Sequence, residues 1–188
     1  MSTLVLPDPS LVVLLGAAGS GKSTLAARLF PPDEILSSDA LRAAVSGNEA
    51  DQTASPVAFR ILHTTLARRM GQGEMTVVDA TNTKSEHRRP LLDRARAAGV
   101  PVVALVLDVP RAVIHAQNAA RTARVVDPAV VDRHMAAIRR SIEVGRLVTE
   151  GFDHVVLLRS QTDVANLGLE RRGAPRRVAP DGVRRRER

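Results

Sequence analysis

Nine residues, Gly16-Ala17-Ala18-Gly19-Ser20-Gly21-Lys22-Ser23-Thr24, set three glycines, a lysine and a hydroxyl pair in the spacing G-x-x-x-x-G-K-[ST]. Glycines at these places let backbone N–H groups curl around a phosphate, and a helix opening at Lys22 adds positive potential. Lys22 is in position to reach the β- and γ-phosphates of ATP, and the Ser23 hydroxyl suits Mg²⁺. A second acidic element ends the run Val77-Val78-Asp79, where a carboxylate can act in the outer shell of Mg²⁺ or on Ser23. The plainer reading of Asp79 is an acidic cap at a strand end. Ala80 follows it, where hydrolytic ATPases often place a water-activating Glu, and Asn82-Thr83-Lys84-Ser85 lacks the guanine-reading spacing Asn-Lys-x-Asp. Phosphoryl transfer to an acceptor is therefore favoured over hydrolysis or GTP switching.

An acceptor hydroxyl needs a carboxylate to orient and deprotonate it. Ser37-Ser38-Asp39-Ala40-Leu41-Arg42 offers Asp39, with Arg42 three residues on and so on the same helical face. Asp39 could hold the nucleophile while the Arg42 guanidinium grips an anion on the acceptor. The alternative is Asp39 as a plain helix cap paired to Arg42. Arg121 and Arg124, three apart and just before Asp127-Pro128, suit a lid that closes over ATP. They would equally suit a solvated pair. The histidines at 63, 87, 115, 134 and 154 show no metal-ligand spacing. Arg88, Arg89, Arg94 and Arg96 read as a solvated helix face.

These residues need a scaffold that brings the ends of several strands together. Short apolar runs at 11–15, 34–37, 75–79, 102–107 and 154–158 read as strands buried on both faces of a parallel sheet. Helical stretches lie between them at 22–30, 55–70 and 85–98, and a long one runs from 127 to 150. Alternating strands and helices predict an α/β fold with helices on both faces of the sheet. The expected organisation is an N-terminal extension over 1–10, one domain over 11–170, and an Arg-rich disordered tail over 171–188.

Composition narrows the rest. The 188 residues suit one domain, and the lack of cysteine excludes disulfides, thiolate metal sites and a catalytic thiol. No apolar run is long enough to span a membrane, and residues 1–10 carry no basic residue of a signal peptide, so a cytoplasmic protein without membrane partners is expected. Of the net +7, residues 171–188 supply most, with eight arginines against Asp181 and Glu187. The remainder is near neutral. Three phenylalanines and no Trp or Tyr leave no platform for stacking a long single strand.

From residue 11 to residue 158 the chain resembles the 5′-kinase module of bacterial RNA-repair polynucleotide kinase-phosphatases, related to phage polynucleotide kinases. The resemblance rests on the motifs at 16–24 and 37–42, on Asp51-Gln52-Thr53-Ala54 and on Val77-Val78-Asp79-Ala80-Thr81-Asn82. It continues through Asn118-x-x-Arg121-Thr122-x-Arg124 to Gly151-Phe152. It implies a P-loop kinase fold, a five-stranded sheet in order 2-3-1-4-5, and a lid bearing Arg121 and Arg124. It implies Asp39 as general base toward a 5′-hydroxyl of RNA or DNA, Arg42 on the acceptor phosphate, and Gln52 lining the acceptor site. Gln117 stands where the family carries a further lid Arg. The family's kinase is often fused to phosphatase and ligase modules. Beyond Leu158 too little chain remains for either, so those activities are expected of separate proteins working on the same ends. Two other readings stay open: a small-molecule kinase for a sugar, nucleoside, antibiotic or nucleotide sugar, and an ATP-binding switch without catalysis.

Overall fold

The computed structural model describes residues 3–122 and 124–173. Its chain runs β1 (Thr3–Asp8), β2 (Leu11–Gly16), α1 (Lys22–Leu29), β3 (Ile35–Ser37), α2 (Ser38–Ser46), α3 (Ser55–Gln72) and β4 (Thr76–Asp79). It continues through α4 (Ser85–Ala97), β5 (Val102–Leu107), α5 (Arg111–Ala119), α6 (Pro128–Ile142), α7 (Arg146–Glu150), β6 (His154–Leu158), α8 (Gln161–Asn166) and β7 (Gly168–Gly173). Five strands form one parallel sheet in the order β3-β4-β2-β5-β6. Counted from the Leu11 strand, this is the order 2-3-1-4-5 that the resemblance implies; an additional strand ahead of it shifts the numbering by one.

The central strand β2 explains the layering. Side chains alternate across a strand, so Leu11, Val13 and Leu15 enter one core and Val12 and Leu14 the other. On the first face Leu62, Leu66 and Met70 of α3, Leu91 and Leu92 of α4 and Ile138 of α6 cover the sheet. On the second, Leu25 and Ala26 of α1 meet Leu6 of β1 and Leu167 before β7. With both faces covered, the polar work of the sheet is left to the C-terminal ends of its strands, the edge where doubly wound folds place ligands.

Three expectations are corrected. Residues 1–10 are not a bare extension, because β1 pairs in parallel with β7, Thr3 opposite Gly168 through Asp8 opposite Gly173. Arg171 to Gly173 consequently belong to a strand and not to the tail. Arg171 donates to both carboxylate oxygens of Glu34, at 2.7 and 2.6 Å, and lies 5.8 Å from the centre of the Phe30 ring. The tail beyond Gly173 lies outside the described residues. The long helix expected over 127–150 is broken. It ends at Ile142, turns through a short 3₁₀ segment, and resumes as α7 because Gly145 takes φ +66°, which L side chains avoid.

Candidate active site

The loop from Gly16 to Gly21 leaves the end of β2 and turns into α1. Gly19 and Gly21 adopt φ of +81° and +92°. At Gly19 a side chain is excluded twice over, since a Cβ would lie 2.7 Å from the Ile114 carbonyl oxygen of α5. Gly21 is the N-cap of α1 and offers no side-chain acceptor, and the first turn holds no acid. The N–H groups there are left for an anion. Lys22 is buried and donates to the Ala17 carbonyl at 2.7 Å and to Ser20 Oγ at 3.4 Å. Burial pushes its pKa down to about 8, opposed by the carboxylates of Asp79 and Asp39, while Arg121 lowers it further. Thr24 lines the same cavity one turn in.

Ser23 donates through Oγ to Asp79 Oδ2 at 2.7 Å. Asp79 sits at the end of β4, and burial raises its pKa against the opposing effects of Ser23 and Lys22. Among the described residues no group of three His, Cys, Asp or Glu could enclose a metal. A hydroxyl and a carboxylate beside a phosphate cradle fit Mg²⁺, which takes a few protein oxygens and completes its shell with water and phosphate. The donor set is therefore compatible with the expected ion.

Asp39 and Arg42 lie on α2, and the helix-cap alternative for Asp39 does not hold. Ser37 is the cap, accepting from the Ala40 N–H at 3.3 Å, which leaves Asp39 half-buried and turned into the cavity. Arg42 is buried, donates to Asp39 Oδ1 through Nη2 and to the Glu49 carbonyl through Nε at 2.9 Å. Arg121 reaches in from the far side, with Nη2 3.7 Å from Asp39 Oδ2 and 3.9 Å from Glu49 Oε1. Arg124 lines the cavity, its pKa lowered by burial first and then by Arg42. The connection carrying Arg121 and Arg124 is stapled at its ends. Asn118 Nδ2 donates to the Val126 carbonyl at 2.7 Å, and the Val126 N–H donates to Asn118 Oδ1 at 3.1 Å.

One cavity of about 1040 Å³ holds the phosphate loop, Asp39, Arg42, Gln52, Asp79, Gln117, Arg121 and Arg124. Gln52 stands on a short 3₁₀ turn that Asp51 caps through the Thr53 N–H at 2.9 Å. Phe59, His87, His134 and the valines 109, 113 and 164 also line it, and sequence spacing gave no sign of any of them.

Arg88 is a correction. It is 1% exposed, the opposite of a solvated face. Its guanidinium donates to both oxygens of Glu150 at 2.7 and 2.6 Å, to Ser141 Oγ at 3.2 Å and to the Asn82 carbonyl at 2.8 Å. Asn82 takes φ +47° and donates through Nδ2 to the Leu14 carbonyl at 2.8 Å. Arg88 thus braces the turn after β4, directly behind the phosphate loop.

A parallel sheet of this order, with a phosphate loop at the end of its central strand, defines the P-loop kinase fold. Residues 11–144 match the family described as AAA domain, and the chain belongs to that family. Solved structures agree on the fold. A chain of the Pnkp1/Rnl/Hen1 RNA repair complex superposes with TM-score 0.62 and 17% identity, over 73% of this chain and 46% of that one. This chain thus spans less than half of that neighbour. A sugar kinase from a Janibacter species gives TM-score 0.54 and 21% identity over 80% and 85% of the two chains. A gluconokinase from Sinorhizobium meliloti gives 0.50 and 20% over 85% and 87%. No curated protein matches the sequence.

Proposed function

We propose that this protein is an ATP- and Mg²⁺-dependent kinase that transfers the γ-phosphoryl group to the 5′-hydroxyl end of RNA or DNA. The observation carrying this reading is Asp39, set in the same cavity as Lys22, paired to the buried Arg42 and approached by Arg121. Asp39 accepts the proton of the attacking hydroxyl. That oxygen bonds to the γ-phosphorus as the bond to the β–γ bridging oxygen breaks, and ADP leaves. Lys22, Arg121 and Arg124 hold the phosphate oxygens and offset the charge that shifts among them. Ser23 would hold Mg²⁺, with Asp79 in its outer shell, and the ion would supply further charge neutralisation. Asp39 and the Glu49 carbonyl engage Arg42 through Nη2 and Nε, which leaves Nη1 for a phosphate adjoining the acceptor hydroxyl. A nucleic-acid end, or a 3′-phosphorylated nucleoside, carries such a phosphate.

A second reading, a kinase of a small alcohol, is favoured by one feature: Phe59 is the one phenylalanine on the cavity wall, so successive bases have little to stack on. The two sugar kinases that share the fold over most of their length agree with it. Incubation with labelled ATP, Mg²⁺ and a panel of 5′-hydroxyl oligonucleotides, 3′-phosphorylated nucleosides, sugars and sugar acids separates the two. Label on the oligonucleotides and 3′-phosphorylated nucleosides supports the first reading. Label confined to sugars or sugar acids refutes it in favour of the second.

A further inference from the structure

His134 plays no part in the chemistry above, yet it lines the same cavity. The reason lies in how α6 is seated. Val131 and Met135 bury against Ala17 and Ala18 of the phosphate loop and Ile114 of α5. Val130 and His134, four residues apart, then share the side of the helix that lines the cavity beside Val126. The ring is half-buried, and its Nδ1 is enclosed without a hydrogen-bond partner. That nitrogen is closed off from the cavity, so a ligand would meet the ring at the edge that lines the cavity.

The surroundings indicate which ligand. The charges acting on the ring are Lys22 from α1, Arg124 from the lid connection and Arg133 of its own helix, all positive. Burial first, and these cations after it, lower its pKa below the usual histidine value. An imidazole kept neutral between cations on the rim of a phosphate loop is ready to gain a proton once anionic oxygens enter. We infer that His134 is a phosphate ligand of the donor nucleotide, its ring donating to a phosphate oxygen from the cavity wall beside Lys22 and Arg124. This rests on the nucleotide-binding reading of the phosphate loop and holds for any acceptor. The sign follows from linkage. A pKa that rises on binding means proton uptake, so affinity grows as pH falls through the pKa of the complex and levels off below that of the free protein.

The test is calorimetric titration with ADP between pH 5.5 and 8, in buffers of different ionisation heat, on the wild type, His134→Asn and His134→Gln. ADP's own protonation is common to all three and cancels in the comparison. The wild type should take up more protons than either variant. Its affinity advantage should be roughly tenfold or more at pH 5.5, as for a charge-assisted hydrogen bond, and shrink toward pH 8. Two variants guard against one that fails to fold, and unchanged melting of either shows that α6 is intact. Equal proton uptake and parallel pH profiles overturn the inference while leaving nucleotide binding in place. A 3′-phosphorylated nucleoside carrying the signature in place of ADP also overturns it. Absence of ADP binding by the wild type would instead overturn the kinase reading itself.

Discussion

Replacing Arg88 by Met keeps the aliphatic stem and removes the guanidinium, leaving Glu150 and the Asn82 carbonyl without their donor. Breaking a buried pair by deleting one partner costs about 3–5 kcal/mol, because a charge stays behind in a poor solvent. The Glu150 side chain keeps 21% exposure, so water can reach it in part and the lower end, about 3 kcal/mol, applies. For a chain of this size each kcal/mol moves the midpoint by about 2–4 °C, so melting should fall by about 6–12 °C. Replacing Glu150 by Met as well removes the orphaned charge and should restore most of that loss. The site should also register the change, because Arg88 braces the turn behind the phosphate loop through the Asn82 carbonyl. Well below its melting temperature Arg88→Met should bind ATP more weakly, whereas Glu150→Gln, which keeps the Asn82 contact, should bind it nearly as the wild type does. Calorimetric melting and nucleotide titration of the three variants read both effects. An Arg88→Met midpoint within about 2 °C of wild type would refute the assigned brace.

Lys22, with its pKa near 8 in the free protein, should gain proton affinity when phosphate oxygens arrive. Its contribution to ADP binding is then full below pH 8 and falls toward tenfold per pH unit above it. Lys22→Arg, charged throughout, should bind with no such inflection, and a flat wild-type titration from pH 7 to 9.5 contradicts the assignment. Arg42→Ala should raise KM roughly 10- to 150-fold for 3′-phosphorylated acceptors and far less for uncharged ones. An equal loss on both would make Arg42 only a support for α2. Deleting residues 174–188, which hold six of the arginines, should raise KM for a 20-mer at low salt while turnover of a 3′-phosphorylated mononucleoside is unchanged. Overlapping KM values at low and moderate salt would deny the tail a part in substrate capture.

The phosphate loop was legible because its chemistry is local: one strand end, three glycines and a helix start lie within a few residues. The five sheet strands were legible for a related reason, since a strand buried on both faces reads as an unbroken apolar run. β1 was not, because its partner β7 lies near the other end of the chain and Pro7 interrupts its pattern. Arg88 misled for the same reason. Four arginines on one helix look alike until Glu150, 62 residues on, selects one of them for burial. The break at Gly145 lets α7 carry Leu147 into the core and Glu150 to Arg88, a requirement of packing that helical periodicity does not express. His134 carries no signal in the sequence, because its environment comes from the phosphate loop against which α6 packs.

The central claim is that Asp39 acts on the acceptor and Lys22 on the donor. Single-turnover transfer from ATP to a 5′-hydroxyl oligonucleotide, measured beside ATP affinity for Asp39→Asn and Lys22→Ala, tests it most directly. Asp39→Asn should lose about 10²–10⁴ in rate with ATP bound nearly as before, whereas Lys22→Ala should lose both rate and affinity. Transfer by Asp39→Asn within about tenfold of wild type would contradict the account.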